Sequence, residues 1–276
     1  MPQNKRQIKL TTILLLTTIL ISQFFLISLA KTEVYFSLSN NPQKAIIKNI
    51  NQAEAFINIA IYVFTDKEIA ASLINAQDKG VKVRVYLDKS QIESTYSISR
   101  FLVQKVIKVR ISTNNYIMHN KFAIIDNRLL LTGSYNWTFS ANNRNDENLM
   151  VIDDLEIIEI FQNQFVNLWT NKYSLERTRQ LYQIAKVDFP FLSTTSSKPE
   201  VQTININSAS PEELTSILQI SQPLAQKIIA LREELGGFKD PQDLIQLSEI
   251  TTLEWEEWKE QGIIITVDCL QSETFD

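Results

Sequence analysis

"AFINIAIYVFTDKEIAASLINAQDKGVKVRVYLD", from Ala55 to Asp88, is the stretch whose reading decides the fold. Its ends, "AFINIAIYVF" (Ala55 to Phe64) and "VKVRVYLD" (Val81 to Asp88), concentrate or alternate β-branched and aromatic residues as strands do. Between them "DKEIAASLINAQDKG" has helical spacing at Ile69, Leu73 and Ile74, with Gly80 as a stop. Strand, helix, strand implies a parallel crossover, so the fold class is α/β. A helical "SISRFLVQKV" and a short strand "IKVRIS" follow. "DDLEIIEIFQNQFVNLWTNKY" (Asp153 to Tyr173) is an amphipathic helix expected to close a domain over 31–175.

Beyond that point the periodicity weakens, and "FPFLSTTSSKPEVQT" has the proline, serine and threonine of a linker, placed at 176–202. A small all-helical domain is expected over 203–268, with a tail at 269–276. Ser210, Pro211 and Glu213 supply a cap, a first-turn proline and a third-position carboxylate; Asp240, Pro241 and Asp243 repeat the arrangement. Gly236, Gly237 and Gly262 read as helix stops.

At the N-terminus, Lys5, Arg6 and Lys9 precede an uncharged, mostly apolar run from Leu10 to Ala30. Residues 1–30 therefore read as a cleaved export signal or as a membrane anchor through residues 10–30, and either places the rest outside the cytoplasm: periplasmic, secreted or anchored. The single cysteine, Cys269, makes no internal disulfide, and one histidine with one cysteine excludes a cysteine/histidine zinc cluster. The net charge of −4 hides an asymmetry. Residues 200–276 hold 15 acidic and 4 basic side chains, a net of −11, which leaves +7 on residues 1–199. The two halves are expected to have different partners. Lys79 to Arg110 carries eight basic residues against Asp88 and Glu93, a segment suited either to a polyanion or to a solvated face.

The chemistry concentrates in "IMHNKFAIIDNRLLLTGSYNWT" (Ile117 to Thr138), which contains His119, the only histidine. On a strand His119 and Lys121 share one face, and Asp126 falls on the other. "DNR" reads as a hairpin turn, after which "LLLTGS" brings Gly133, Ser134 and Asn136 back towards the histidine end. Glycine permits close backbone approach, and lysine, serine and asparagine bind phosphate oxygens. Cleaving a phosphodiester through a covalent intermediate needs a nucleophile on one side of phosphorus and a proton donor on the other. With one histidine per chain, the second group has to come from another copy, so the pattern points to a homodimer.

The spacing His119-x-Lys121-x4-Asp126-x6-Gly133-Ser134-x-Asn136 resembles the HKD signature of the phospholipase D superfamily, in particular its single-motif bacterial endonuclease branch and the related mitochondrial enzyme. Agreement extends to "VYFSLS", "NRNDENLMVI" and "FQNQFVNLW", about half the chain. The resemblance implies a mixed sheet flanked by helices. It also implies His119 as nucleophile in one subunit and acid in the other, with Lys121, Ser134, Asn136 and Gly133 around the phosphate. It assigns Glu147 to orienting the histidine and groups Asp126 with the catalytic residues in a supporting, structural role. No metal or other cofactor is implied.

"INSASPEELTSILQISQPLAQKIIALREELGGFKDPQDLIQLSEI" resembles the paired helix-hairpin-helix domain of competence-type DNA-uptake proteins. The glycine-rich turns of that family are replaced by "LQISQPL" and "LSEITTL", and the module is acidic. Its fold is expected to survive and its DNA contact is not; a protein partner or support of a dimer is expected instead, with Trp255 and Trp258 either as contacts or as core. The leading expectation is a phosphodiesterase of nuclease type acting on DNA or RNA. The alternatives are a phospholipase using the same residues and a non-catalytic nucleic-acid-binding or scaffold protein.

Overall fold

The computed structural model describes residues 30–171, 174–187, 202–247, 249–260 and 262–267. The leader up to residue 29, residues 188–201 of the expected linker and the tail lie outside the described residues. From Thr32 onward the chain is one compact unit. Its first part runs β1 (Thr32–Phe36), α1 (Pro42–Ile50), β2 (Phe56–Ile61), α2 (Lys67–Asp78), β3 (Lys82–Leu87), α3 (Ser90–Glu93), α4 (Ser99–Gln104) and β4 (Lys108–Ile111). Then come β5 (Lys121–Ile125), β6 (Leu129–Gly133), α5 (Phe139–Asn143), β7 (Asn148–Ile152), α6 (Leu155–Trp169) and α7 (Ser174–Ala185). The seven strands make one sheet in the order β1-β7-β6-β5-β2-β3-β4.

The crossover read from Ala55 to Asp88 is present: β2 and β3 pair in parallel, Phe56 opposite Lys82 and Ile61 opposite Leu87. β4 adds in parallel to β3, whereas β5, β6, β7 and β1 continue antiparallel on the other side, so the sheet is mixed. Every residue of β2 is buried, because helices cover both faces. One face packs Ile57, Ile59, Val83, Val85, Ala123 and Leu131 under α1, α2, α4 and α7. The other packs Phe56, Ala60, Phe122, Ile124 and Leu130 under α6, through Ile158, Phe165 and Trp169.

The domain does not close at residue 175. α7 occupies the first part of the expected linker and seats Leu181, Tyr182 and Ala185 in the core. Its role is to finish the sheet. The edge strand β4 leaves outward amides that need acceptors. Thr178 Oγ1 takes the N–H of Ile111 at 3.0 Å and the Tyr182 hydroxyl takes that of Val109 at 3.2 Å. Burial pushes the Tyr182 phenol up to about 12, so the group stays neutral and serves as acceptor.

The C-terminal module comprises β8 (Gln202–Asn205), α8 (Pro211–Leu218), α9 (Gln222–Leu235), a 3-10 segment Pro241–Gln246, α10 (Thr252–Glu260) and β9 (Ile263–Thr266), which pairs with β8 in parallel. Both expected capping boxes form, Ser210 with Glu213 and Asp240 with Asp243, although the second opens the 3-10 segment. Gln219 takes φ 52 at the end of α8, a left-handed position that a glycine would occupy at less cost.

The second hairpin of the module docks on the sheet. Leu253, at the second hairpin, enters the core under α6. Glu254 and Glu257 close on Arg84 of β3, whose side chain is 1% exposed. Arg84 donates to Glu257 at 2.9 and 2.8 Å, to Glu254 at 2.8 Å and to Asn58 at 3.4 Å. Trp169 Nε1 also donates to Glu257. Burial alone would push the Glu257 carboxyl up; the charge and hydrogen bonds of Arg84 overcome that and hold it well below the usual carboxylate range. Trp258 is buried and donates to the Leu218 carbonyl at 2.8 Å, so it is core, with Trp255 packed against its edge.

This corrects the reading of the charges. The basic stretch from Lys79 to Arg110 is not a free polyanion surface, because Arg84 and Arg110 are fully buried and Lys108 pairs with Glu257. Arg110 donates to the Trp169 carbonyl and lies over that ring at 4.9 Å. The oppositely charged halves are partly each other's partner.

Arg84→Ala would strand two buried carboxylates, and unfolding in urea at pH 7 should lose about 3–5 kcal/mol. Arg84→Met combined with Glu254→Leu and Glu257→Leu should recover most of it. The sign with pH follows from the depressed carboxyls: their contribution is complete above the unfolded carboxylate range and is lost as pH falls through the folded values. Wild-type stability should therefore fall more steeply with acid than that of the triple variant, and equal slopes would contradict this.

Candidate active site

The β5–β6 hairpin builds the site. Asp126 and Asn127 sit at φ 53 and 50 as the central pair of the turn closed by the Arg128 amide on the Ile125 carbonyl. Two consecutive positive φ values match the turn whose twist suits a tight hairpin, and Asp and Asn tolerate them. The hairpin register sets Phe122 opposite Thr132, so the residues before Lys121 and after Gly133 meet at one end of the sheet. His119 precedes β5 and Ser134 and Asn136 follow β6 at that end.

His119 is exposed, its ring 4.7 Å from that of Tyr62 and tilted to it. Lys121 donates to the His119 carbonyl at 2.8 Å and holds its ammonium 5.4 Å from the Tyr62 ring centre. Burial lowers the Lys121 pKa, and the charge of Glu147 works against that. Ser134 Oγ donates to Glu147 at 2.5 Å and accepts from the Asn148 amide at 3.1 Å. Asn145 donates to the other Glu147 oxygen at 3.0 Å. Asn136 Oδ1 accepts from the Val63 amide at 3.3 Å, which leaves its N–H₂ group as the donor for a ligand. Lysine, hydroxyl and amide donors around an accessible imidazole can neutralise a phosphoryl group while a nucleophile attacks it.

Asp126, grouped with the catalytic residues, takes the structural role expected of it, at the far end of β5 from the motif. There it accepts from the amides of Glu54, Ala55 and Phe56 at 2.8 to 2.9 Å and pairs with Arg128, pinning the hairpin to the start of β2. The bareness of Gly133 has a structural cause within the sheet. A Cβ there would lie 2.3 Å from the Asn148 carbonyl oxygen, so its bareness serves the close approach of β7. Among the described residues Glu147 makes its hydrogen bonds with Ser134 and Asn145, and none links it to the His119 ring. Tyr62, Asn145 and Asn148 were not singled out in the sequence. Tyr62 follows β2, next to β5, and a polar-tipped ring at the end of an otherwise apolar strand was the available signal.

Beside Asn136 runs an open groove of about 690 Å³ that includes Thr65, Lys67, Tyr96, Thr138 and Ser140. A second cavity, of about 260 Å³, lies between β3, β4 and the C-terminal module and includes none of the motif residues.

Residues 46–169 match the family model "Cardiolipin synthase, PLD-like domain", and residues 200–261 match the "Helix-hairpin-helix motif". The chain is 43% identical over 123 residues to a phospholipase D of Rickettsia prowazekii, covering 44% of this chain and 60% of that protein. It is 37% identical over 141 residues to a phospholipase D of Rickettsia conorii, covering 51% of this chain and 70% of that protein. The chain thus spans between 60% and 70% of the length of these two relatives. The crystal structure of Nuc from Salmonella typhimurium, a phospholipase D family member, is 28% identical, covering 51% of this chain and 95% of that one, with a TM-score of 0.49.

The Lys121 ammonium has to stay charged to hold phosphate, so activity should be lost as pH rises through its folded pKa. Glu147→Gln removes an influence that raises that pKa. The alkaline limb of kcat/KM should move to lower pH in this variant. A limb that stays in place or moves up would refute the coupling.

Proposed function

The chain belongs to the phospholipase D superfamily, and from that premise we propose that it is a phosphodiester hydrolase of nuclease type, acting on DNA or RNA at a site completed by a second copy. The observation that carries the chemistry is the meeting of His119, Lys121, Ser134 and Asn136 at one end of the sheet in a chain with a single histidine. His119 of one subunit attacks phosphorus, forming a phosphohistidine as the bond to the leaving oxygen breaks. His119 of the other subunit donates the proton to that oxygen. The second imidazole, now neutral, takes a proton from water, which hydrolyses the phosphohistidine and frees the first. Lys121 and the Asn136 amide hold the non-bridging oxygens, joined by Ser134 when its hydroxyl turns from Glu147.

Dimerisation is supported by the surface around the histidine. Tyr116 and Ile117, immediately before it, are 84% and 51% exposed, and Phe139 is 61% exposed. A two-fold pair presents the same patch twice and covers such a surface. Nucleic acid is favoured by the polar groove beside Asn136. The same residues on a phosphatidyl substrate are the second reading, favoured by relatives named phospholipase D. The apolar leader puts the activity outside the cytoplasm, free or membrane-held, and the non-catalytic reading has no support from a site with all its donors present.

Purified protein should release nucleotides from DNA or RNA in the presence of a chelator; release of phosphatidic acid with nucleic acid left intact would transfer the assignment to lipid. Mixing equal amounts of wild-type and His119→Ala subunits should leave about a quarter of the activity, because only paired wild-type subunits hold two imidazoles. Retention of half would rule out a shared site.

A further inference from the structure

Building on the nuclease reading, we propose that the groove beside Asn136 is the track of an unpaired nucleic-acid strand, with Lys67 holding a backbone phosphate and Tyr96 stacking on a base. The groove continues from a residue of the phosphate site, so a chain bound at phosphorus has its next unit there. Among its lining residues Lys67 is the only charged group, and the remainder are mainly hydroxyl-bearing. Lys67 is exposed, and among the described residues its ammonium has no ion pair. A cation with hydroxyls suits a phosphodiester backbone, whereas two acyl chains would need an apolar wall.

Tyr96 supplies the selectivity for an unpaired strand. Its ring is 84% exposed. Its loop is nonetheless fixed, because the Ile98 amide donates to the Phe64 carbonyl at 3.0 Å and the Ser97 amide to the Ser94 carbonyl at 3.2 Å. Phe64 in turn bridges Trp137, and Val63 holds Asn136. Asp88, which caps the preceding helical turn through the Ser90 amide, also accepts from the Met118 amide next to His119. The loop that carries the exposed ring is thus tied to the segments beside the reacting centre, by backbone bonds on one side and through the Asp88 carboxylate on the other. A base in a duplex is already stacked, and only an unpaired one offers its face to a ring.

The test uses the whole protein and its Tyr96→Ala, Tyr96→Phe and Lys67→Ala variants on three substrates. These are a labelled single-stranded oligonucleotide, the blunt duplex of the same sequence and bis(4-nitrophenyl) phosphate, which occupies only the reacting centre. Tyr96→Ala should raise KM for the single strand about five- to tenfold, with Tyr96→Phe close to wild type. Lys67→Ala should raise it most at low salt, the effect shrinking as salt rises. Turnover of the small diester should be unchanged in all three variants, and the duplex should be insensitive to Tyr96. An unchanged single-strand KM in Tyr96→Ala overturns the track, as does a duplex affected as strongly as the single strand or a parallel loss on the small diester. Wild-type turnover of the small diester with no cleavage of any oligonucleotide overturns the nuclease reading itself.

Discussion

Everything in the C-terminal third of the fold depends on how one buried guanidinium is satisfied. Arg84 lies on a central strand with its side chain 1% exposed, and β3 and its neighbours offer it only the Asn58 amide oxygen. Removing such a charge from water is tolerable only with carboxylates in bidentate reach. These come from Glu254 and Glu257, one turn apart on α10 and some 170 residues later in the chain, as the separations of 170 and 173 positions record. An acidic module therefore completes the face that α6 leaves open, and the second hairpin of the module is consumed in docking.

The brace and the chemistry occupy opposite ends of the sheet. Lys82, Arg84 and Lys108 open their strands, and β3 runs parallel to β2, so the module meets the beginning of β2 while Tyr62 and the motif residues lie past its end. β2 has six residues, so the distance along the strand is about 20 Å. The module thus braces the sheet at the end away from the site. Asp126 does the same from the turn, locking the hairpin to the amides of Glu54, Ala55 and Phe56 so that His119 and Ser134 are presented in register.

Much of this was legible. The crossover followed from alternation between Ala55 and Asp88, and the site followed from the spacing of His119, Lys121, Ser134 and Asn136. The docking was written in the sequence but had two readings. In "VKVRVYLD" the polar Lys82 and Arg84 alternate with Val83 and Val85, which suits a solvated face as well as one buried against acid. Glu254 and Glu257 share a helical face, yet nothing local says what faces them. α7 was missed because Thr178 and Tyr182 are chosen as acceptors for an edge strand, so polar residues stand where an apolar stripe would advertise a helix. At Gly133 a bare backbone serves a neighbouring strand as readily as a ligand, and its neighbours in the sequence do not separate the two.

The histidine makes the last step. Among the described residues its ring accepts and donates no hydrogen bond, and Glu147, the nearby carboxylate, is held by Ser134 and Asn145. In a two-fold pair the two rings are equivalent until a substrate binds, and a phosphodiester is itself directional, with one oxygen leaving. On the proposed shared site and strand track, the polarity of the strand in the groove beside Asn136 would decide which histidine attacks and which gives up its proton.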